Sequence, residues 1–309
     1  MHSHRVVKDN DSGLPFSVME HGSNFSSKSV EGMSGQLKQG IIWGMAILFA
    51  HTAAFFPVWE SLVHAWSQSE DYSHAFLIVP LCVYLVWMKK EILREVEIEP
   101  SWFGLAITIL STLTYIIGAY AGVLTLNAIA LVISILGAVY AGLGAKVVKV
   151  IGFPLFFLFL MIPIPSQLYW SLTTPLQLLV SKASVYLLQL LTDIPILREG
   201  NVIHLPEKTL QVVAACSGMR SIISLTTLSV FFGYISLRRV ASVIVLTASA
   251  LPIAIIINIL RIIIMVVASY SFHYELSFGA PHTYLGLFVF GVAIMLTILC
   301  QKVLAGIER

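Results

Sequence analysis

From about residue 40 onward the chain alternates long apolar runs with short polar connections, and the runs have the length a helix needs to cross ~30 Å of hydrocarbon. They fall at residues 40–58, 74–88, 102–120, 123–142, 148–164, 216–236, 241–268 and 283–303, which predicts about eight membrane spans. The second run is short, and the pair over 102–142 admits a different division. Ahead of them, residues 1–38 are polar and rich in Ser, Gly and His. They lack the short apolar core and small-residue cleavage site of a secretory signal. The expected organisation is a disordered cytoplasmic tail over 1–38 and an integral-membrane domain over 39–309.

Residues 165–215 break the pattern. From Gln167 to Leu191 apolar stretches alternate with Gln177, Lys182 and Gln189, and Pro175 lies among them. This predicts an amphipathic helix at the membrane interface rather than a ninth span. From Pro195 to Val213 short β-branched runs are separated by Gly200-Asn201 and by Pro206, which predicts one or two small hairpins. An exposed hairpin edge suits pairing with an extended peptide on its way to Cys216; a plain connector that caps the bundle fits the pattern equally. The fold class is therefore an all-α polytopic membrane protein, with an interfacial amphipathic helix and a small extracytoplasmic β-hairpin region.

Charge orients the spans, because Lys and Arg in short connections are retained on the cytoplasmic side. Lys28 and Lys38 precede the first run, Lys89, Lys90 and Arg94 follow the second, and Lys146 and Lys149 precede the fifth. Arg238 and Arg239 join the sixth to the seventh, and Lys302 and Arg309 follow the last. The opposite loops, 59–73 and 269–282, hold Glu60, Glu70, Asp71 and Glu275 but no Lys or Arg. Both termini are thus expected in the cytoplasm and residues 165–215 outside. With 58% hydrophobic and 11% charged residues the chain is not a soluble domain. A net charge of +2, without a basic run interleaved with aromatics, excludes nucleic acid as a partner. Cys82, Cys216 and Cys300 are too few for a disulfide framework and form no CxxC pair; Cys82 and Cys300 lie inside apolar runs and read as packing. No cofactor is implied.

Mapped by depth on this topology, the unusual polar residues collect at the outer face. Cys216 stands at the predicted N-terminus of the sixth span, where unpaired N–H groups and partial positive charge favour a thiolate and can hold an oxyanion. Arg261 lies about seven residues, or ~10 Å, inside the outer end of the seventh span, where a guanidinium is costly unless it faces a polar cavity or a partner. Asn258, three residues earlier, shares its face. Arg220, one turn beyond Cys216, can lower the thiol's pKa, bind a substrate carboxylate or pair within the bundle. His282 opens the eighth span and can exchange protons with a neighbouring thiol. His74 opens the second, lining a substrate entrance or capping that span. Ser217, in Cys-Ser-Gly, lacks the GxSxG context of a serine nucleophile and is at most a supporting residue.

The blocks Cys216-Ser217-Gly218-Met219-Arg220-Ser221, Asn258-Ile259-Leu260-Arg261 and His282-Thr283-Tyr284-Leu285-Gly286 resemble the signature blocks of the exosortase/archaeosortase family of membrane transpeptidases. Asp71-Tyr72-Ser73-His74-Ala75-Phe76 is similar to its early block, and the resemblance runs from about residue 40 to 303. It implies a catalytic Cys216, Arg261 and His282 at the extracytoplasmic face of a prokaryotic inner membrane. It also implies cleavage of C-terminal sorting signals, built of a motif such as Pro-Glu-Pro, an apolar span and a basic tail, through a Cys thioester. The released protein would pass to a surface polysaccharide or lipid acceptor, or to water. One departure stands out: many members carry an acidic residue two positions before the Cys, where this chain has Ala214.

Two other classes compete. A transporter or metal permease could use His64, His74, His204, His273 and His282 on the outer side, although no HxxH or HExxH spacing occurs and no carboxylate lies within an apolar run. A non-catalytic assembly factor would use Asn258 and Arg261 to dock a partner's helix.

Overall fold

The computed structural model describes residues 49–206, 208–211, 218–274, 276 and 279–308. The predicted tail over 1–38 and residues 40–48 of the run at 40–58 lie outside the described residues. Two units divide the chain, Met1–Pro57 and Val58–Arg309. Of the first, residues 49–54 are helical.

The second unit is helical apart from one small sheet. Its elements are α1 (Phe56–Gln68, begun in the first unit), α2 (Ala75–Met88), α3 (Lys90–Glu95), α4 (Trp102–Ala121), α5 (Leu124–Phe157), α6 (Ser166–Leu191), β1 (Leu197–Glu199), β2 (Val202–His204), β3 (Thr209–Gln211), α7 (Met219–Ser236), α8 (Val240–Ser271) and α9 (Gly279–Ile307). Among the described residues six helical stretches are long and apolar enough to cross a membrane: Glu70–Met88, Trp102–Ala121, Leu124–Met161, Met219–Ser236, Val240–Ser271 and Gly279–Ile307. The expected count of about eight is not reached among the described residues, which leave out part of the first run.

Part of the difference lies in α5, which is not one rod. Gly144 has φ 87° and ψ 178°, a conformation closed to other residues and incompatible with a helix. A straight helix of 34 residues would be ~51 Å long. Yet Thr125 Oγ1, at its start, donates to the Pro163 carbonyl, just beyond its end, at 2.9 Å. The chain therefore doubles back at Gly144, so two of the expected runs, 123–142 and 148–164, are the two arms of one stretch. The first arm packs antiparallel to α4, Gly104 against Ala141 and Gly118 against Asn127.

The arms and their neighbours sort the charges by end. Near the fold-back Lys146 reaches Glu97 at 2.9 Å and Glu99 at 2.7 Å, and Lys89 Nζ lies 5.8 Å from the centre of the Tyr234 ring. The Arg238 and Arg239 backbone N–H groups donate to Glu308 at 2.7 and 3.0 Å. Hydrogen bonding to Ser242 first, and then to the Arg238 backbone, holds the Glu308 carboxyl below its ordinary range. At the opposite end the Trp66 indole donates to the Met161 carbonyl at 3.0 Å, and the Ile164 N–H donates to the Tyr72 hydroxyl at 3.0 Å. The connections that carry Lys89, Lys146 and Arg238-Arg239 thus lie away from the acidic Glu70-Asp71 turn, while Arg198 and Lys208 belong to the sheet region.

The segment expected as an amphipathic helix is α6. It starts beside Asp71, through Tyr169, and ends in an apolar cluster of Val185, Leu188, Ile203 and Leu210 with Ile262 and Val266 of α8. Its buried face carries Thr173, Gln177, Ser181 and Ser184, while Leu172, Leu178, Leu179 and Leu190 point outward. The expected hairpins form a three-stranded antiparallel sheet in the order β1-β2-β3, with Arg198 opposite Ile203 and Ile203 opposite Leu210. In sequence, β3 precedes the Cys216 block.

Candidate functional site

The site is built on α8, whose buried face includes Asn258 and Ile262 as well as the alanines that let α7 and α9 pack close. Arg261 stands three residues after Asn258 and reaches across to α9. Its Nη2 lies 2.8 Å from His282 Nε2. Room for the guanidinium comes from Gly286, one turn beyond His282, where an added Cβ would lie 3.2 Å from the same Nη2.

These contacts fix the state of the imidazole. A guanidinium can only donate, so Nε2 accepts through its lone pair. The other nitrogen, Nδ1, lies 3.1 Å from the Leu276 carbonyl, which can only accept, so Nδ1 carries the proton. His282 is held as the neutral Nδ1–H tautomer with its basic nitrogen turned to Arg261.

Asn258 lies against the head of α7. The helix begins at Met219, capped by Gly218 with φ 91°, and its first backward bond runs from the Ile222 N–H to the Gly218 carbonyl at 2.8 Å. A Cβ on Gly218 would collide with Asn258 Nδ2, so the amide occupies the space that the missing side chain leaves. Asn258 is 3% exposed, and Nδ2 has no hydrogen-bond partner among the described residues.

Cys216 and Ser217, and Ala214 before them, lie outside the described residues. Of the sixth expected run, 216–236, the described part is helical from Met219 onward, with Gly218 left-handed before it.

Arg220 pairs within the bundle. Its Nη2 meets Glu70 at 2.6 Å and its Nε donates to Asp71 Oδ1 at 3.2 Å. Asp71 also accepts from the Tyr169 hydroxyl at 2.6 Å. Burial first, and this bond to Asp71 second, push the Tyr169 phenol's pKa up. One carboxylate thus ties α7 to α6 and to the turn before α2. Arg220 and Glu70 lie within electrostatic reach of His282, which brings this cluster and the Arg261–His282 pair into one neighbourhood.

His74 packs beside Asp71 and the turn at Leu158–Met161, with its ring 6.5 Å from that of Tyr72. Both ring nitrogens are buried near the Leu160 and Asp71 backbone without closing a hydrogen bond. Of the histidines expected on the outer side, His204 meets Glu199 at 3.5 Å across the sheet. Among the described residues no group of three or more His, Cys, Asp or Glu converges to hold a metal ion.

Sequence reasoning missed Glu70 and Asp71 as the partners of Arg220, Tyr169 as the second partner of Asp71, and Gly218 and Gly286 as the spaces that admit Asn258 and Arg261. The glycines stood in quoted blocks but gave no sign of what they make room for. Tyr169 carried no signal beyond being an aromatic in an amphipathic helix.

The family of transmembrane exosortases (Exosortase_EpsH) matches the chain over residues 66–299. No curated protein and no solved structure matches it.

Proposed function

This chain belongs to the transmembrane exosortase family, and from that premise we propose that it is a membrane-embedded cysteine transpeptidase acting on C-terminal sorting signals. Cys216 is the nucleophile, His282 the proton carrier and Arg261 the principal charge stabiliser. The observation that carries this reading is the 2.8 Å contact between Arg261 and His282 beside the helix head that follows the Cys216 block.

In the resting arrangement the His282 lone pair is engaged by Arg261. A carbonyl oxygen gaining negative charge is a stronger acceptor than neutral imidazole, so it draws the guanidinium N–H toward itself. That release frees Nε2 to take the proton of the Cys216 thiol. Sulfur bonds to the carbonyl carbon, the π pair moves to oxygen, and collapse of the tetrahedral species expels the amine, which takes the proton from Nε2. A thioester remains on Cys216. An incoming hydroxyl, amine or water then gives its proton to the same nitrogen as it displaces the sulfur. Glu70 and Asp71, paired with Arg220, are the carboxylates near this centre in a chain that has Ala214 before the Cys block.

Retention of basic loops in the cytoplasm supports an orientation with Lys89, Lys146 and Arg238 inside and this centre at the extracytoplasmic face of a prokaryotic inner membrane. Partners on this reading are the sorting signal, membrane lipid, and a surface polysaccharide or lipid that receives the cleaved protein.

The test is co-expression with a reporter ending in Pro-Glu-Pro, an apolar span and a basic tail, read by intact mass. Trimming by wild type and none by Cys216→Ala at equal protein level is expected. Equal trimming by Cys216→Ala would sink the mechanism, and any added mass on the product identifies the acceptor.

A further inference from the structure

We propose that the side-chain amide of Asn258 is a catalytic donor to the oxyanion that forms at Cys216, an inference that rests on the Cys216 reading above. A buried amide without a partner is costly, and folded proteins seldom keep one. Asn258 is 3% exposed and its Nδ2 is unpartnered among the described residues. An apolar side chain would fill this place without dehydrating a donor, so packing alone does not account for the amide.

Where the amide lies supplies the reason. Asn258 Nδ2 fills the space beside Gly218 at the first turn of α7, the end toward which that helix directs its unbonded N–H groups. Cys216 is two residues from Gly218, so chain connectivity keeps their Cα atoms within ~7.6 Å of each other. Arg261, three residues on along α8, is already committed to His282, whereas Asn258 needs no release before it can donate. The two residues divide the work: Asn258 is preorganised for the oxyanion, and Arg261 joins as charge develops.

The chemistry separates this role from a structural one. Acetylation of Cys216 by p-nitrophenyl acetate forms an S–C bond at a carbonyl carbon, places charge on its oxygen, and then breaks the ester C–O bond to expel p-nitrophenolate. Alkylation by iodoacetamide displaces iodide at a saturated carbon and forms no oxyanion. Both reactions can be followed at Cys216 by peptide mass mapping of the full-length protein in detergent. Asn258→Ala and the bulkier, likewise branched Asn258→Leu are both expected to slow acetylation about 10²- to 10³-fold, the range for loss of one oxyanion donor. Alkylation rate and melting temperature are expected to stay at wild-type values in at least one of the two. Unchanged acetylation in either folded variant overturns the proposal, as does an equal slowing of both reactions, which would mean that Asn258 only shapes the thiol. If wild-type Cys216 alkylates but is never acetylated, the acyl-transfer reading fails and this inference fails with it. A wild type that acetylates while its Asn258 variants do so equally well sinks this inference alone.

Discussion

Arg261 and His282 meet at 2.8 Å, Nη2 to Nε2, with the far imidazole nitrogen donating to the Leu276 carbonyl at 3.1 Å. The guanidinium therefore both orients the histidine and occupies its acceptor nitrogen until something competes for its hydrogens. Two aligned N–H groups are needed for that exchange, one leaving Nε2 and one reaching the oxyanion. A lysine keeps the charge but not the planar fork. Arg261→Lys is expected to lower reporter trimming by ~10²-fold or more while leaving the protein inserted and folded. Initial rates by intact mass check this, and a Lys variant near wild-type rate would remove the fork from the mechanism.

Gly218 and Gly200 give a controlled comparison. Both have positive φ, 91° and 62°, so alanine is strained by roughly 1–2 kcal/mol at either place. Only at Gly218 would the new methyl also displace the Asn258 amide; at Gly200 its nearest neighbour is Leu178 at 4.0 Å. The two variants should lose similar thermal stability from strain, with Gly218→Ala somewhat worse, but only Gly218→Ala should lose trimming. Equal activity in the two would show that the contact between Asn258 and Gly218 does not matter to turnover.

The Arg220 cluster allows magnitudes to decide between its two acids. The Glu70 side chain is 79% exposed, and such an ion pair contributes about 0–1 kcal/mol despite its short distance. Asp71 is 20% exposed and holds both Arg220 and Tyr169, so it is worth about 1–3 kcal/mol through charge-assisted hydrogen bonds. Asp71→Asn should therefore destabilise far more than Glu70→Gln, and Tyr169→Phe should couple to Asp71→Asn in a double-mutant cycle. Chemical denaturation in detergent measures all of these, and the reverse order for the two acids would contradict the burial argument.

What could be read from the sequence divides along a physical line. Apolar length and the placement of Lys and Arg are properties of single segments, so the runs, the basic end and the separate character of α6 and the sheet were legible. Arg261 was legible because a guanidinium among isoleucines is conspicuous, and its contact with His282 agrees with the equal depth that counting residues along the spans gave those two. Partners distant in sequence were not: Asp71 and Arg220 are 149 residues apart, and nothing local to either names the other. The start of α7 at Met219 rather than Cys216 depends on the left-handed backbone of Gly218, and a glycine in a run of small residues does not announce its φ.

The fold-back in α5 carries the last prediction, because the run from 124 to 161 would otherwise pass for one span. A continuous helix would put Thr125 and Pro163 ~57 Å apart, on opposite sides of any bilayer. The 2.9 Å bond between them puts both at one end, and Lys146, beside Glu97 and Glu99, at the other. In a variant with Cys82, Cys216 and Cys300 replaced by alanine, single cysteines at 125, 146 and 163 can be probed in intact cells with a membrane-impermeant maleimide. Positions 125 and 163 are expected to label from outside and 146 only after the membrane is opened. Labelling of 125 and 163 from opposite sides would mean a single traverse, and every later helix would then be inverted. The Lys and Arg of the following connections would then face outward, against the charge rule, so this one measurement tests the fold-back and the orientation of the whole site together.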